Sequence, residues 1–252
     1  INRDGEKSLT LEEWFASWQT GLYVNFIKDD RWRYLTDGLW VTLKLTFFAV
    51  LLGIAIGMVI SIIRSTKDKN GDEMRWGIWK GLLYIADFFA RVYLTVIRGT
   101  PVVVQLMIMY YIIMVSSTNK VLVAVLAFGI NSGAYVAEIF RSGIMSIDNG
   151  QFEAGRSLGF NYVQTMRYII IPQAFKNVLP TLANEFIVLL KETSVAGYVA
   201  LQDLTKGGDI IRSRTYDAFP SLIAVALIYL VMVMFFTKLV NKLERRLRSS
   251  ER

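Results

Sequence analysis

Apolar residues in this chain fall into long blocks separated by short charged connectors, which is the periodicity of helices long enough to cross a bilayer and not that of strands. A span needs roughly 20 mostly apolar residues to cross about 30 Å of hydrocarbon. Residues 39–63 meet this, interrupted only by Lys44 near one end, where a lysine can snorkel to the interface. Within it, Gly53 and Gly57 form a small-residue pair that predicts close approach of another helix, of the same bundle in preference to a dimer partner.

The block over 81–115 is broken by Asp87, Arg91 and the run Arg98-Gly99-Thr100-Pro101. Asp87 and Arg91 are one turn apart and can pair on one face, so its first part predicts a lead-in along the membrane surface. Pro101 opens the run 102–115, where a missing N–H costs least. This block counts as one span, because two would leave Arg98 in a loop too short to cross. Residues 121–144 form the next span and 219–237 the last. Between them, 175–197 is a span with a polar middle that includes Asn184, Glu185, Lys191 and Glu192; such groups are costly in lipid and predict a protein-lined or wet interior face. The pattern thus predicts an all-α, polytopic membrane protein with five transmembrane helices.

Charge sets the orientation. Arg64, Lys67, Lys69, Arg75 and Lys80 crowd the first connector, and Lys238, Lys242, Arg245, Arg246 and Arg248 crowd the end of the chain, placing both on the cytoplasmic side. The N-terminus is therefore expected outside and the C-terminus inside. Before the first span, Leu11, Trp14, Phe15, Trp18, Leu22 and Phe26 recur at helical spacing and predict an amphipathic helix on the outer surface, with packing against the bundle as the alternative. Asp4, Glu6, Glu12 and Glu13 do not suit the basic start of a signal peptide, so the first span is expected to be retained. Three regions result: an extracytoplasmic amphipathic segment over 1–35, a transmembrane domain over 36–245 with a cytoplasmic loop at about 146–172, and a basic tail over 246–252.

Composition narrows the chemistry. The chain of 252 residues has no Cys and no His, which excludes disulfides, thiol nucleophiles, Cys/His zinc sites and histidine acid–base catalysis. The net charge of +7 is accounted for by membrane orientation and not by a nucleic-acid-binding face. No phosphate-binding Gly-rich loop ending in Gly-Lys-Ser or Gly-Lys-Thr occurs, so any ATP must be bound by another polypeptide.

The segment before the fourth span carries Glu153-Ala154-Gly155, then Gly159, Ile169, Ile171 and Pro172. This spacing resembles the EAA loop of the permease subunits of ABC importers, whose pattern is Glu-Ala-Ala, three residues, Gly, nine residues, Ile, one residue, Leu-Pro. Gly155 replaces the second Ala and Ile171 the Leu; the first change should weaken a helix by about 1 kcal/mol. Arg98-Gly-Thr-Pro101, Ala134-Tyr-Val-Ala-Glu-Ile139 with Arg141, Pro172-Gln-Ala174 and Leu189-Leu-Lys-Glu-Thr-Ser194 resemble the polar amino-acid branch of these permeases, and the likeness covers most of 36–245.

That resemblance implies the type I importer fold, a bacterial cell-membrane location, and a permease dimer, identical or paralogous. It further implies two cytoplasmic ATPase subunits, an extracytoplasmic solute-binding protein and an amino-acid substrate, with no cofactor on this chain. The loop would be a cytoplasmic peg for the ATPase, with Glu153, Ala154, Gly155, Arg156 and Gly159 as coupling residues. Glu153 is expected near the N-terminus of a short helix, favoured by the helix dipole, and Gly159 where that helix ends.

An amino acid brings an ammonium and a carboxylate, so its path wants a carboxylate and cations or donors. Asn131, Ser132, Tyr135 and Glu138 in the third span, and Asn184, Glu185, Lys191 and Glu192 in the fourth, are the candidate lining; Glu138 can instead pair with Arg141, and Lys191 or Glu192 can merely brace helices. A stand-alone secondary transporter or channel would also place polar groups in spans, but no inverted repeat is visible in the sequence. A membrane enzyme would lack His, Cys or a clustered carboxylate triad to work with.

Overall fold

A computed structural model describes residues 11–71 and 74–249 of the chain. Asp4, Glu6 and the last residues of the basic tail lie outside the described residues. Among the described residues there are ten α-helices: α1 (Leu11–Leu22), α2 (Trp32–Asn70), α3 (Ile78–Gly99), α4 (Val102–Ile108), α5 (Lys120–Met145), α6 (Asn149–Ser157), α7 (Tyr162–Thr165), α8 (Ile171–Glu192), α9 (Leu204–Thr215) and α10 (Ala218–Ser249). π-helical turns follow α1 (Tyr23–Ile27), α4 (Met109–Ile113) and α7 (Met166–Ile170), and among the described residues there is no strand.

The helix α2, at 39 residues, is about 58 Å long at about 1.5 Å per residue and therefore projects beyond about 30 Å of hydrocarbon. It forms the most extensive helix pair of the molecule with α5. Glycines make that pair possible from both sides. A Cβ on Gly53 would come within 2.9 Å of Ser132 Oγ and one on Gly57 within 2.6 Å of Val136, while one on Gly133 would meet Ile56 at 2.9 Å. The predicted close approach is thus internal to the bundle. Leu45, Ala49, Leu106, Ala124, Phe128 and Leu189 fill the core around this pair. A second cluster, Leu35, Leu190, Leu204, Ile211 and Val225, closes the end that holds α9.

By length and composition, α2, α5 and α10 are each long and apolar enough to cross a membrane. The first and last expose wide apolar faces, including Phe47, Phe48, Val59, Leu227, Val231 and Phe235, where a soluble helix would be polar. The block expected to be one span is two helices that meet at 108° across Gly99–Pro101, and only together do they pass the same test. Pro101 and its extended neighbour Thr100 break the helical ladder there, and Gln105 Nε2 donates to the freed carbonyls of Ile97 and Thr100 at 2.8 and 3.1 Å. The block expected as the fourth, polar span is α8, which has 22 residues but is not among the helices apolar enough to cross a membrane by the same test. The connector between α8 and α10 is mostly the helix α9, capped by Asp203, which accepts from Thr205 N and Lys206 N.

Candidate functional site

Most of the site residues expected from the sequence fall in two places: the segment from Ser146 to Pro172 and the clefts beside α5. In the first, α6 begins at Asp148, whose Oδ1 accepts from Gly150 N at 2.6 Å. Glu153 is therefore in the middle of α6, and the expected N-terminal carboxylate is Asp148; the expectation misplaced the helix start by a turn. Gly159 ends the helix as expected. Its φ of +79° is in the left-handed region, and Phe160 N donates back to Gly155 O at 3.0 Å, closing the Schellman turn.

Asn161 and Gln164 then form a reciprocal capping box that starts α7. Pro172 lies in the first turn of α8, directly after the π-helical turn Met166–Ile170. Gly155 has a tertiary reason: a Cβ there would stand 2.6 Å from Thr165 Oγ1. The β-branched Thr165, itself 2% exposed, occupies the space an alanine would need.

A small core of Ile144, Ile147, Ile170 and Ala174, with Phe152 against it, holds the segment to the bundle. Lys69, near the end of α2, clamps it from the other side: Nζ donates to Asn149 Oδ1 at 2.8 Å and stands 4.8 Å above the Phe152 ring. Away from the bundle, Glu153, Ala154 and Arg156 are exposed, and Leu158 and Val163 are 70% and 69% exposed. Two apolar side chains offered outward on a rigid, twice-capped turn make a surface suited to a partner's groove.

In the second place, α5 and α8 meet where Ser132 Oγ donates to Glu185 Oε1 at 2.9 Å. Below that contact a cavity of about 590 Å³ opens, lined by Tyr135, Glu138, Ser142, Asn177, Thr181 and Glu185. On the other side of Tyr135 and Glu138 a cleft of about 570 Å³ is lined by Arg64, Arg91, Thr95 and Arg98. Arg98 joins the two: its guanidinium lies 5.7 Å from the Tyr135 ring centre, and Nη1 is 3.6 Å from Glu138 Oε1.

Of the eight expected lining residues, Tyr135, Glu138 and Glu185 border this space, and Ser132 orients Glu185. Asn131 turns to α4, donating to Gln105 Oε1 at 3.0 Å. Asn184, Lys191 and Glu192 border neither cavity. The pattern missed Arg91, Thr95 and Arg98, although their spacing puts them on one face of α3. They look like interface positions until the fold sets that face against α5. The predicted Asp87–Arg91 pair is present at 2.7 Å, and Arg64 joins it at 3.3 Å.

Residues 74–249 match the family of binding-protein-dependent transport system inner membrane components, and the chain belongs to that family. Among curated relatives, it is 35% identical over 221 residues to the arginine transport system permease protein ArtQ of Bacillus subtilis (strain 168), with 86% of this chain and 94% of that protein covered. It is also 35% identical over 209 residues to the glutamine transport system permease protein GlnP of Escherichia coli (strain K12), with 81% and 90% covered. Among solved structures, an amino acid ABC transporter crystallised with histidines superposes with a TM-score of 0.74 at 40% identity, covering 92% of this chain and 98% of the other. The inward-facing MetNI methionine ABC transporter superposes with a TM-score of 0.70 at 19% identity over 87% and 99% of the two chains, a likeness of fold.

Proposed function

We propose that this chain is the permease subunit of an ATP-driven importer of polar amino acids in the bacterial cell membrane. It moves solute and carries out no chemistry of its own. The observation that carries the reading is the peg at 148–172, built in register with the EAA spacing and presenting exposed Leu158 and Val163 on a fixed turn. The arginine and glutamine permeases among its relatives support the substrate class. The spans are α2, the broken pair α3–α4, α5, α8 and α10, with the N-terminus outside and the C-terminus in the cytoplasm. A second permease, identical or paralogous, completes the open side of the α5–α8 cavity. The ATPase subunits take the peg from the cytoplasm, with Glu153, Ala154, Gly155, Arg156 and Gly159 in or under the contact, and a solute-binding protein delivers from outside. Tyr135, Glu138 and Glu185 line the path, joined by Arg91, Thr95 and Arg98; Asn131, Ser132, Asn184, Lys191 and Glu192 support it.

The test is co-purification and uptake. Expressed with its ATPase and binding protein, the wild-type permease should retain the ATPase in detergent and take up labelled amino acids in proteoliposomes. Deleting residues 153–159 should abolish both. Retention of the ATPase by the deletion variant, or uptake without it, would overturn the proposal.

A further inference from the structure

A line of charged contacts runs from the solute cavity to the peg. Glu138 borders both cavities. Its Oε1 is held from α3 by Arg98 at 3.6 Å, and its Oε2 is 3.2 Å from Arg141 Nε, one turn along α5. Arg141 borders neither cavity. It reaches the other way as well, with Nη1 3.6 Å from Asp68 Oδ2 on α2. The next residue on α2 is Lys69, which clamps α6 through Asn149 and Phe152.

Arg141 therefore stands between two carboxylates on different helices, one at the solute path and one beside the clamp on the peg. All three side chains are partly buried, at 30%, 29% and 23% exposure for Arg141, Glu138 and Asp68, so their charges are screened less than on an open surface. The other charges facing this line are Lys67, 3.9 Å from Asp68, and the Arg64–Asp87–Arg91 group across the α3 face.

We infer that Arg141 and Asp68 are positioning residues that report solute occupancy at Glu138 to the coupling helix α6; the inference rests on the importer reading above. A solute charge entering the cavity competes with Arg98 and Arg141 for Glu138. Arg141 then redistributes toward Asp68, and the end of α2 carries that change to Asn149 and Phe152 through Lys69. A two-state element that both sites bias can carry such coupling, and an arginine shared between two carboxylates supplies one. Structural bracing alone would give these ion pairs little effect beyond a small loss of stability.

The experiment uses the full complex of permease, ATPase and binding protein in proteoliposomes, with an equimolar mixture of the common amino acids as probe. ATP hydrolysis is measured with and without loaded binding protein. Arg141→Gln and Asp68→Asn should each lower the stimulated-to-basal ratio at least five-fold, while the double variant is no worse than either single one, because both break one route. Arg141→Lys should restore most of the ratio. Ratios within two-fold of wild type in both single variants, or effects that multiply in the double, would overturn the inference. Loss of assembly in Arg141→Gln would also overturn it, by making the pair a folding brace. A wild-type complex that assembles but shows no solute-stimulated hydrolysis would instead overturn the importer reading.

Discussion

At the scale of single residues, Gly155 shows how a departure from a pattern is compensated locally. In sequence it is only a weak helix former in place of alanine. In the fold its missing Cβ is the space that Thr165 Oγ1 occupies. Gly155→Ala should gain helix propensity of about 1 kcal/mol but lose about 1–3 kcal/mol to overpacking, and so lower the melting temperature of the purified complex. Adding Thr165→Ala should recover part of the loss. A Gly155→Ala protein as stable as wild type would remove this account.

Asp203 gives the corresponding electrostatic case. It caps α9 in the connection outside the spans with no exposed surface. Burial pushes its carboxyl up to about 6, against the opposing pull of the Thr205 and Lys206 amides. The folded value is above the ordinary aspartate value of about 3.9, so the folded state prefers the neutral acid. The stabilisation is complete below about pH 4 and lost as pH rises through about 6. Asp203→Asn keeps a capping side chain without the charge, and should flatten the fall in melting temperature between pH 4 and 7. An unchanged pH profile in the variant would contradict this.

At the scale of elements, the α2–α5 pair is the part of the fold most directly written in the sequence. Gly53 and Gly57 announce a close helix contact, and α5 answers with Gly129 and Gly133 opposite Leu52 and Ile56. Gly57→Leu should drive α2 off Val136 and Ala137 and prevent recovery of folded protein, whereas Gly81→Leu on α3, where an added Cβ would meet no neighbouring element within 4 Å, should be tolerated. Comparable monodisperse yields of the two variants would contradict the packing scheme. The break between α3 and α4 was not legible in the same way. Arg98 to Pro101 reads as a helix start after a surface lead-in, and nothing local specifies a bend of 108°. That angle is set by Gln105, which holds the broken carbonyls and Asn131 together across α4 and α5.

At the scale of the whole molecule, charge bias and the absence of cysteine make orientation testable without background. Single cysteines at Ser116, between α4 and α5, and Ser157, at the end of α6, are both on exposed positions. A membrane-impermeant thiol reagent on intact cells should label Ser116→Cys and spare Ser157→Cys until the membrane is opened. The reverse pattern would invert the topology.

The sequence by itself determined the membrane class, the helical blocks, the charge asymmetry and the register of the peg, because each depends on hydropathy, net charge or spacing within a few turns. The capping of α6 and α7 is equally local, since Asp148, Gly159, Asn161 and Gln164 act on their own backbone, yet of these only Gly159 stands out in the sequence, where the start of α6 reads a turn too late. Tertiary structure decided which polar side chains meet. Asn131 and Glu138 share a helix, yet one turns to Gln105 and the other to the cavity, and Arg98 reaches Glu138 from a different helix altogether. Periodicity specifies a face within about one turn of a helix, but the neighbour of that face is fixed only when helices distant in sequence pack, and here glycine pairs between α2 and α5 set that packing.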